Sequence, residues 1–428
     1  MEAPELSSSN TINSRGMDLI RDPHLNKGTG FSLRERQLLN LHGLLPPAFM
    51  SQETQARRVM KNLRNAPNDL SRYVQMNSLQ DRNERLFYRV LMENIEELLP
   101  IVYTPTVGLA CQNYGFIFRK PKGLYITIHD NTVERIYNIL CNWPESIIKA
   151  IVVSDGERIL GLGDLGASGM GIPVGKMSLY VSLARVHPRW CLPIMLDVGT
   201  NNKNFLNDPF YIGLKQKRVR GVEYDYFLDN FMKAVTRRFG QTTLVQFEDF
   251  ANHNAFRLLD RYKNEYCTFN DDIQGTASVA LSGLFGACKI SGMALTDQKI
   301  LFFGAGEAAT GIAMLTCKAL QKAGLSEEEA KNKIYMIDIN GLLVESRSDL
   351  DHHRKMFAKN LEPMRNLIEI IEAIKPTCLI GASSVAGAFN EQVLRLMSKL
   401  NKRPIIFALS NPTSRAECTA VQAYQFSD

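Results

Sequence analysis

Two pairs of adjacent carboxylates, Glu248-Asp249 and Asp271-Asp272, carry the residue types that hold hard divalent cations. Mg²⁺ and Mn²⁺ prefer carboxylate oxygens and keep waters or substrate atoms in their shell, so two or three protein acids are enough. Adjacent acids at a loop or a helix start are by themselves more often solvated, or favoured by the helix dipole, than metal-bound. Here they come with other groups. Arg158 and Lys176 stand at the two ends of a glycine-rich segment, and an arginine there suits bidentate capture of a carboxylate. A glycine-rich turn at Gly304, Gly306 and Ala309 has the G-x-G-x-x-A spacing that seats a pyrophosphate on a helix N-terminus. The chemistry expected is a metal site beside a nicotinamide.

These groups need particular elements to carry them. The β-rich run Thr242 to Gln246 would deliver Glu248 and Asp249 at the carboxyl end of a strand. The stretch from Tyr266 to Ala277 reads as a loop that carries Asp271 and Asp272 into an apolar helix from Ser278 to Ile290. The run Lys299 to Phe303 is a short strand before the glycine turn, a helix follows to about Ala323, and a second strand ends in Asp338. Strand, turn, helix and strand are the context that gives the glycine spacing meaning. Asp338 would favour a free 2′-hydroxyl, while the basic run His352-His353-Arg354-Lys355 could neutralise a 2′-phosphate.

The remaining chain divides by pattern. Residues 1 to about 30 read as a loose polar arm. Ser32 with Glu35 has capping-box spacing, and a helix is expected from Glu84 to about Leu99, until two prolines and a glycine at Pro100, Pro105 and Gly108 disfavour it and place Tyr103 in a turn. From Gly123 strands alternate with helices, as in a parallel sheet covered on both faces. The expectation is an α/β protein: a helical N-terminal domain over 1–120, a central parallel α/β substrate and metal domain over 121–270, and a Rossmann-type dinucleotide-binding domain over 271–428.

Composition narrows the class. At 428 residues and 45% hydrophobic content the chain can bury large cores. A net charge of +6, spread in short clusters, is too little to argue for nucleic acid but suits anionic ligands. Eight scattered cysteines without Cys-x-x-Cys point to a reduced compartment and no structural zinc. No apolar run approaches the roughly 18 residues that span a bilayer, and the N-terminus resembles neither a secretory signal nor a transit peptide. A cytoplasmic location is expected, ahead of a mitochondrial one.

Several long segments, in order, resemble the malic enzymes, which oxidatively decarboxylate malate to pyruvate and CO₂. They are Val102 to Gly108, Ser154 to Gly166, Cys267 to Thr276, Phe303 to Ala309, and Leu409 to Thr413. The resemblance implies Glu248, Asp249 and Asp272 as ligands of Mn²⁺ or Mg²⁺, and Arg158 as the group that holds a malate carboxylate. It implies Lys176 as general base for the C2 hydroxyl with Asp271 beside it, Tyr103 as the acid that protonates the enolate carbon, and Asn411 as a contact near substrate and nicotinamide. It also favours NADP over NAD, with Arg354 or Lys355 at the 2′-phosphate, and a dimer or tetramer of identical chains. Family members continue past the Asn411-Pro412-Thr413 motif into a glycine- and asparagine-rich loop that touches malate, whereas this chain stops at Asp428. A truncated form that binds nucleotide or oligomerises without turnover is the alternative. A dehydrogenase of amino acids is a third reading, and the acid pairs argue against it because such enzymes need no divalent metal.

Overall fold

The computed structural model describes residues 14–427. The chain divides into two compact units, one from the segments up to Lys122 together with Gly175–Pro188, the other from Gly123–Val174 and Arg189 onward. The first unit is helical, with helices at Gln52–Arg64, Asp69–Arg82 and Glu84–Glu93. Ser32 caps Leu33–Leu38 in the box its spacing predicts. Where the sequence promised a loose arm, residues 14–30 are instead packed. Leu19 sits in a helix, Gly16–Arg21, and is buried with Phe31 and Leu41. Residues 1–13 of that arm lie outside the described residues.

The helix expected from Glu84 to Leu99 breaks at Asn94, whose side-chain amide turns back onto the Val90 carbonyl at 3.0 Å. It resumes as Ile95–Val102 and runs through Pro100, contrary to expectation. In so short a helix a proline at the sixth position deprives only the Glu96 carbonyl, and Pro105 lies just before the next helix, Thr106–Gln112, where no N–H is needed. Tyr103 is therefore a half-buried residue in a short turn between two helices.

The second unit holds two five-stranded sheets. The first has β1 (Leu124–Thr127), β2 (Ala150–Ser154), β3 (Cys191–Asp197), β4 (Leu244–Phe247) and β5 (Thr268–Asn270), all parallel in the order β1-β3-β2-β4-β5. Every residue of β2 and β3 is buried, which is why these central strands are near-continuous apolar runs. β5 corrects the loop expected around Asn270. Thr268, Phe269 and Asn270 pair with Val245, Gln246 and Phe247, and the Thr268 hydroxyl donates to the Val245 carbonyl at 2.6 Å. The Asn270 carbonyl oxygen of the side chain then accepts from the Ile273 amide at 2.9 Å, so Asp271–Gly275 is a π-helical turn leading into the helix Thr276–Ser291.

The second sheet has β6 (Ile300–Phe303), β7 (Ile334–Asp338), β8 (Gly341–Leu342), β9 (Cys378–Gly381) and β10 (Ile405–Ala408) in the order β10-β9-β6-β7-β8. All pairings are parallel except β7 with β8, a tight antiparallel return that the strand-and-helix alternation did not reveal. In both sheets the strand order reverses direction beside the first central strand, between β2 and β4 and between β6 and β9. Ligands of open α/β sheets bind in the crevice outside the carboxyl ends of strands at such a reversal. Among the described residues no helix is long and apolar enough to cross a membrane.

Candidate active site

The acids predicted from sequence emerge at the first of these reversals. β2 ends at Ser154 and leads to Arg158, and β4 ends at Phe247 and leads directly to Glu248 and Asp249. Glu248, Asp249 and Asp272 each bring one carboxylate oxygen into a group lying within 4.8 Å of one another. Successive side chains on an extended strand face opposite ways. Asp249 breaks that alternation by taking a left-handed conformation, φ +57°, which costs roughly 1–2 kcal/mol for a residue with a Cβ. Neighbouring acids can then address one point.

The triad is fixed by its surroundings. Gln246 Nε2 donates to Glu248 Oε2 at 2.6 Å, the Leu160 amide to Asp249 Oδ1 at 3.2 Å, and the Asp249 amide to Asp272 Oδ2 at 2.7 Å. Three carboxylates so close repel one another in a largely buried site, and their all-oxygen donor set fits a hard divalent cation. Asp271 is not in the group. Its Oδ1 lies only 1.8 Å from where a Cβ on Gly275 would stand, so this carboxylate is folded over its own helical turn.

The glycine turn lies at the second reversal. Gly304 has φ +119°, and a Cβ there would meet the Ala382 carbonyl at 2.3 Å, so only glycine allows β6 to turn against the end of β9. Gly306 directly precedes the 16-residue helix Glu307–Lys322, and Ala309 is fully buried in its first turn. One cleft is lined by Arg158, Asp249, Asp272, Gly306, Glu307 and Asn411, among others. Six predicted or neighbouring groups thus share a single wall-to-wall space within this unit. Arg158 is exposed at its margin.

Asp338 closes β7, and two guanidinium groups hold it. Arg347 is bidentate at 2.7 and 2.8 Å, and Arg354 lies at 3.3 Å from Oδ2. Arg354 was singled out in the sequence and Arg347 was not. Its signal was the β7–β8 return at Gly341, which brings a residue nine positions after Asp338 back beside it. Lys355 is exposed on the short helix His352–Lys355.

Glu307 was also missed, because a glutamate after G-x-G reads as an ordinary first-turn acid. It is 7% exposed, and its Oε1 has no hydrogen-bond partner among the described residues. A helix N-terminus favours the anion by about 0.3–1 kcal/mol, but burial wins, helped by the negative charge of Asp272, and pushes the carboxyl up to about 9. The group is then neutral at pH 7. An acid raised above its unfolded value stabilises the fold at low pH and loses that contribution as pH rises toward the folded value. The metal-free protein is therefore expected to lose thermal stability between about pH 5 and pH 9. Glu307→Gln should flatten that slope in a melting series; an unchanged slope would show that this carboxyl is not buried neutral.

Tyr103 and Lys176 belong to the first unit. The Lys176 ammonium lies 5.2 Å from the centre of the Tyr103 ring. Gly175 makes room for this pairing, since a Cβ there would come within 2.7 Å of the ring.

Parallel sheets with a carboxylate triad at one reversal and a dinucleotide turn at the other are the architecture of a nucleotide-dependent oxidoreductase. Comparison with known proteins sharpens this. Residues 80–263 match the malic enzyme N-terminal domain and residues 273–428 the malic enzyme NAD-binding domain. The NAD-dependent mitochondrial malic enzyme of Ascaris suum is 61% identical over 98% of this chain. The NADP-dependent malic enzymes of Columba livia and Homo sapiens are 59% and 58% identical over 97% and 99% of it. The chain belongs to the malic enzyme family. It spans 65% of the length of the Ascaris protein and 74% and 73% of the other two. The crystal structure of Entamoeba histolytica malic enzyme shares the fold at 22% identity, with a TM-score of 0.51, covering 91% of this chain and 69% of that one.

Proposed function

We propose that this chain carries out the oxidative decarboxylation of L-malate to pyruvate and CO₂ with NADP as the preferred acceptor. The observation that carries the reading is the convergence of Glu248, Asp249 and Asp272 in a cleft also lined by Arg158, Gly306 and Asn411. Glu248, Asp249 and Asp272 would hold Mn²⁺ or Mg²⁺, which when bound supplies Lewis-acid stabilisation of negative charge on the substrate oxygen. Gly304, Gly306 and Ala309 would seat the pyrophosphate of NADP, whose nicotinamide accepts the hydride from C2.

The chain's own residues do the rest. Arg158 holds a malate carboxylate and orients C2, and Asn411 contacts substrate and nicotinamide. Lys176 takes the C2 hydroxyl proton, with Asp271 assisting, and Tyr103 returns a proton to C3 after CO₂ has left. The pairing of Lys176, on the helix Gly171–Ser182, with the Tyr103 ring supports assigning the two proton-transfer roles to one side of the reaction. In this reading 1–120 is a helical domain, 121–270 the substrate and metal domain, and 271–428 the nucleotide domain, in a cytoplasmic homo-oligomer, dimer or tetramer, that needs neither nucleic acid nor a membrane.

NADP is favoured because two guanidiniums, Arg347 and Arg354, surround Asp338 and offset the repulsion its carboxylate would exert on a 2′-phosphate. Arg354→Ala combined with Lys355→Ala is expected to weaken NADP more than NAD in direct titrations; equal losses would remove both side chains from phosphate recognition. The overall reading is tested by following NADPH absorbance with malate and Mn²⁺, with and without EDTA. Metal-independent turnover overturns the carboxylate assignment. Binding of NADP and Mn²⁺ without turnover leaves the nucleotide-binding form as the function.

A further inference from the structure

The segment 155–166 leaves β2 as a closed loop. Its neck is drawn together where the Gly156 carbonyl accepts from the Leu165 and Gly166 amides at 3.0 and 3.1 Å. Its tip meets the cleft at three backbone positions. The Arg158 amide donates to the Asp249 carbonyl at 3.1 Å, the Leu160 amide to Asp249 Oδ1 at 3.2 Å, and the Gly161 amide to the Asn411 carbonyl at 3.2 Å. The loop therefore ties a proposed metal ligand, a proposed substrate contact and Arg158 together.

One buried cation spans the neck. Arg218 is 7% exposed, and its Nε and Nη2 donate to Asp164 Oδ2 and Oδ1 at 2.7 and 2.9 Å. The same Nη2 donates to the Asp155 carbonyl at 2.9 Å, while Nη1 lies 3.8 Å from Asp155 Oδ2. The Tyr224 hydroxyl donates to that Oδ2 at 2.8 Å, and Thr200 Oγ1 and the Asn201 amide donate to Asp164 at 2.8 Å each. A single guanidinium thus bonds both ends of one loop. Stability alone does not explain it, because buried ion pairs are often no better than well-packed apolar groups of the same volume. Its fork fixes direction, which a point-charge ammonium does not.

We propose that Arg218 is a positioning residue for Arg158, holding Asp155 and Asp164 together so that the loop tip presents the Arg158 guanidinium to the substrate carboxylate. The substrate part rests on the malate reading above. Displacing a binding group by about 1 Å can cost ~10²-fold, so a loosened neck should act on malate more than on ligands held elsewhere.

The test compares the full chain with Arg218→Lys, which keeps the charge and loses the fork. Amide exchange at Arg158, Leu160 and Gly161 should accelerate, and malate affinity in the presence of Mn²⁺ should fall about tenfold or more. With Mn²⁺ held saturating in the malate titration, NADP affinity should stay within about twofold, a split that general loosening of the fold does not produce. Unchanged exchange at the three amides overturns the proposal whatever the substrate is. Faster exchange with unchanged malate affinity overturns the link to Arg158, and so does a parallel fall in malate and NADP affinities. If the wild-type chain itself binds no malate, the malate reading fails while the exchange result still decides the clamp. Should Arg218→Lys not fold, Tyr224→Phe removes one hold on Asp155 and is expected to give the same selective change on a smaller scale; no selective change there overturns the proposal.

Discussion

Lys176→Ala is expected to lower malate-dependent NADP reduction by about 10²–10⁴-fold, the usual range for a missing general base, while NADP affinity stays close to that of the wild type. Lys176 lies in the first unit, paired with the Tyr103 ring, whereas the glycine turn proposed to seat the nucleotide lies in the second. A substitution there removes the proposed proton acceptor and leaves the identities of Gly304, Gly306 and Asp338 unchanged. The two measurements must therefore part company. Turnover that survives the substitution would take Lys176 out of its role, and a parallel loss of NADP binding would mean that the variant is misfolded.

The second large effect is expected at the proposed metal ligands. Loss of outer partners of a metal ligand typically costs 10–100-fold in affinity, so Asp272→Asn, which removes a ligand charge and weakens the acceptor of the Asp249 amide, should lower Mn²⁺ affinity by at least about 100-fold. Titration of Mn²⁺ followed by electron paramagnetic resonance checks this without relying on turnover. Asp271→Asn is the control, because Asp271 lies outside the triad and its carboxylate is folded over Gly275. Near-equal losses from the two variants would contradict the ligand set.

Much of this was legible in residue order. The buried strands declared themselves by unbroken apolar runs, since every residue of β2 and β3 is buried. The capping box at Ser32 and the turn at Gly304 were equally plain, because local hydrogen bonding and steric limits dictate residue type at those positions. Elements fixed by distant pairing were less plain. Thr268 to Asn270 has no strand signature of its own and becomes β5 only because β4 offers it an open edge. Leu19 looked like part of a polar tail until Phe31 and Leu41 came together around it. Pro100 looked like a helix breaker, yet a helix of two turns tolerates it.

By itself the sequence determined which residues could do chemistry and which strand or turn delivers each, since carboxylate pairs, glycine spacing and hydrophobic period are local properties of the chain. The resemblance named Asp272 and not Asp271 as a ligand, but only the tertiary structure brings the acids to one point. It admitted Asp272 and left out Asp271, its immediate neighbour, because a helical turn sends adjacent side chains in different directions. It likewise turned Glu307 from a routine helix-start acid into a neutral buried one, and brought Arg347 and Arg218 onto carboxylates far from them in the chain. Burial and long-range ion pairing depend on what packs nearby in space, and no run of consecutive residues encodes that.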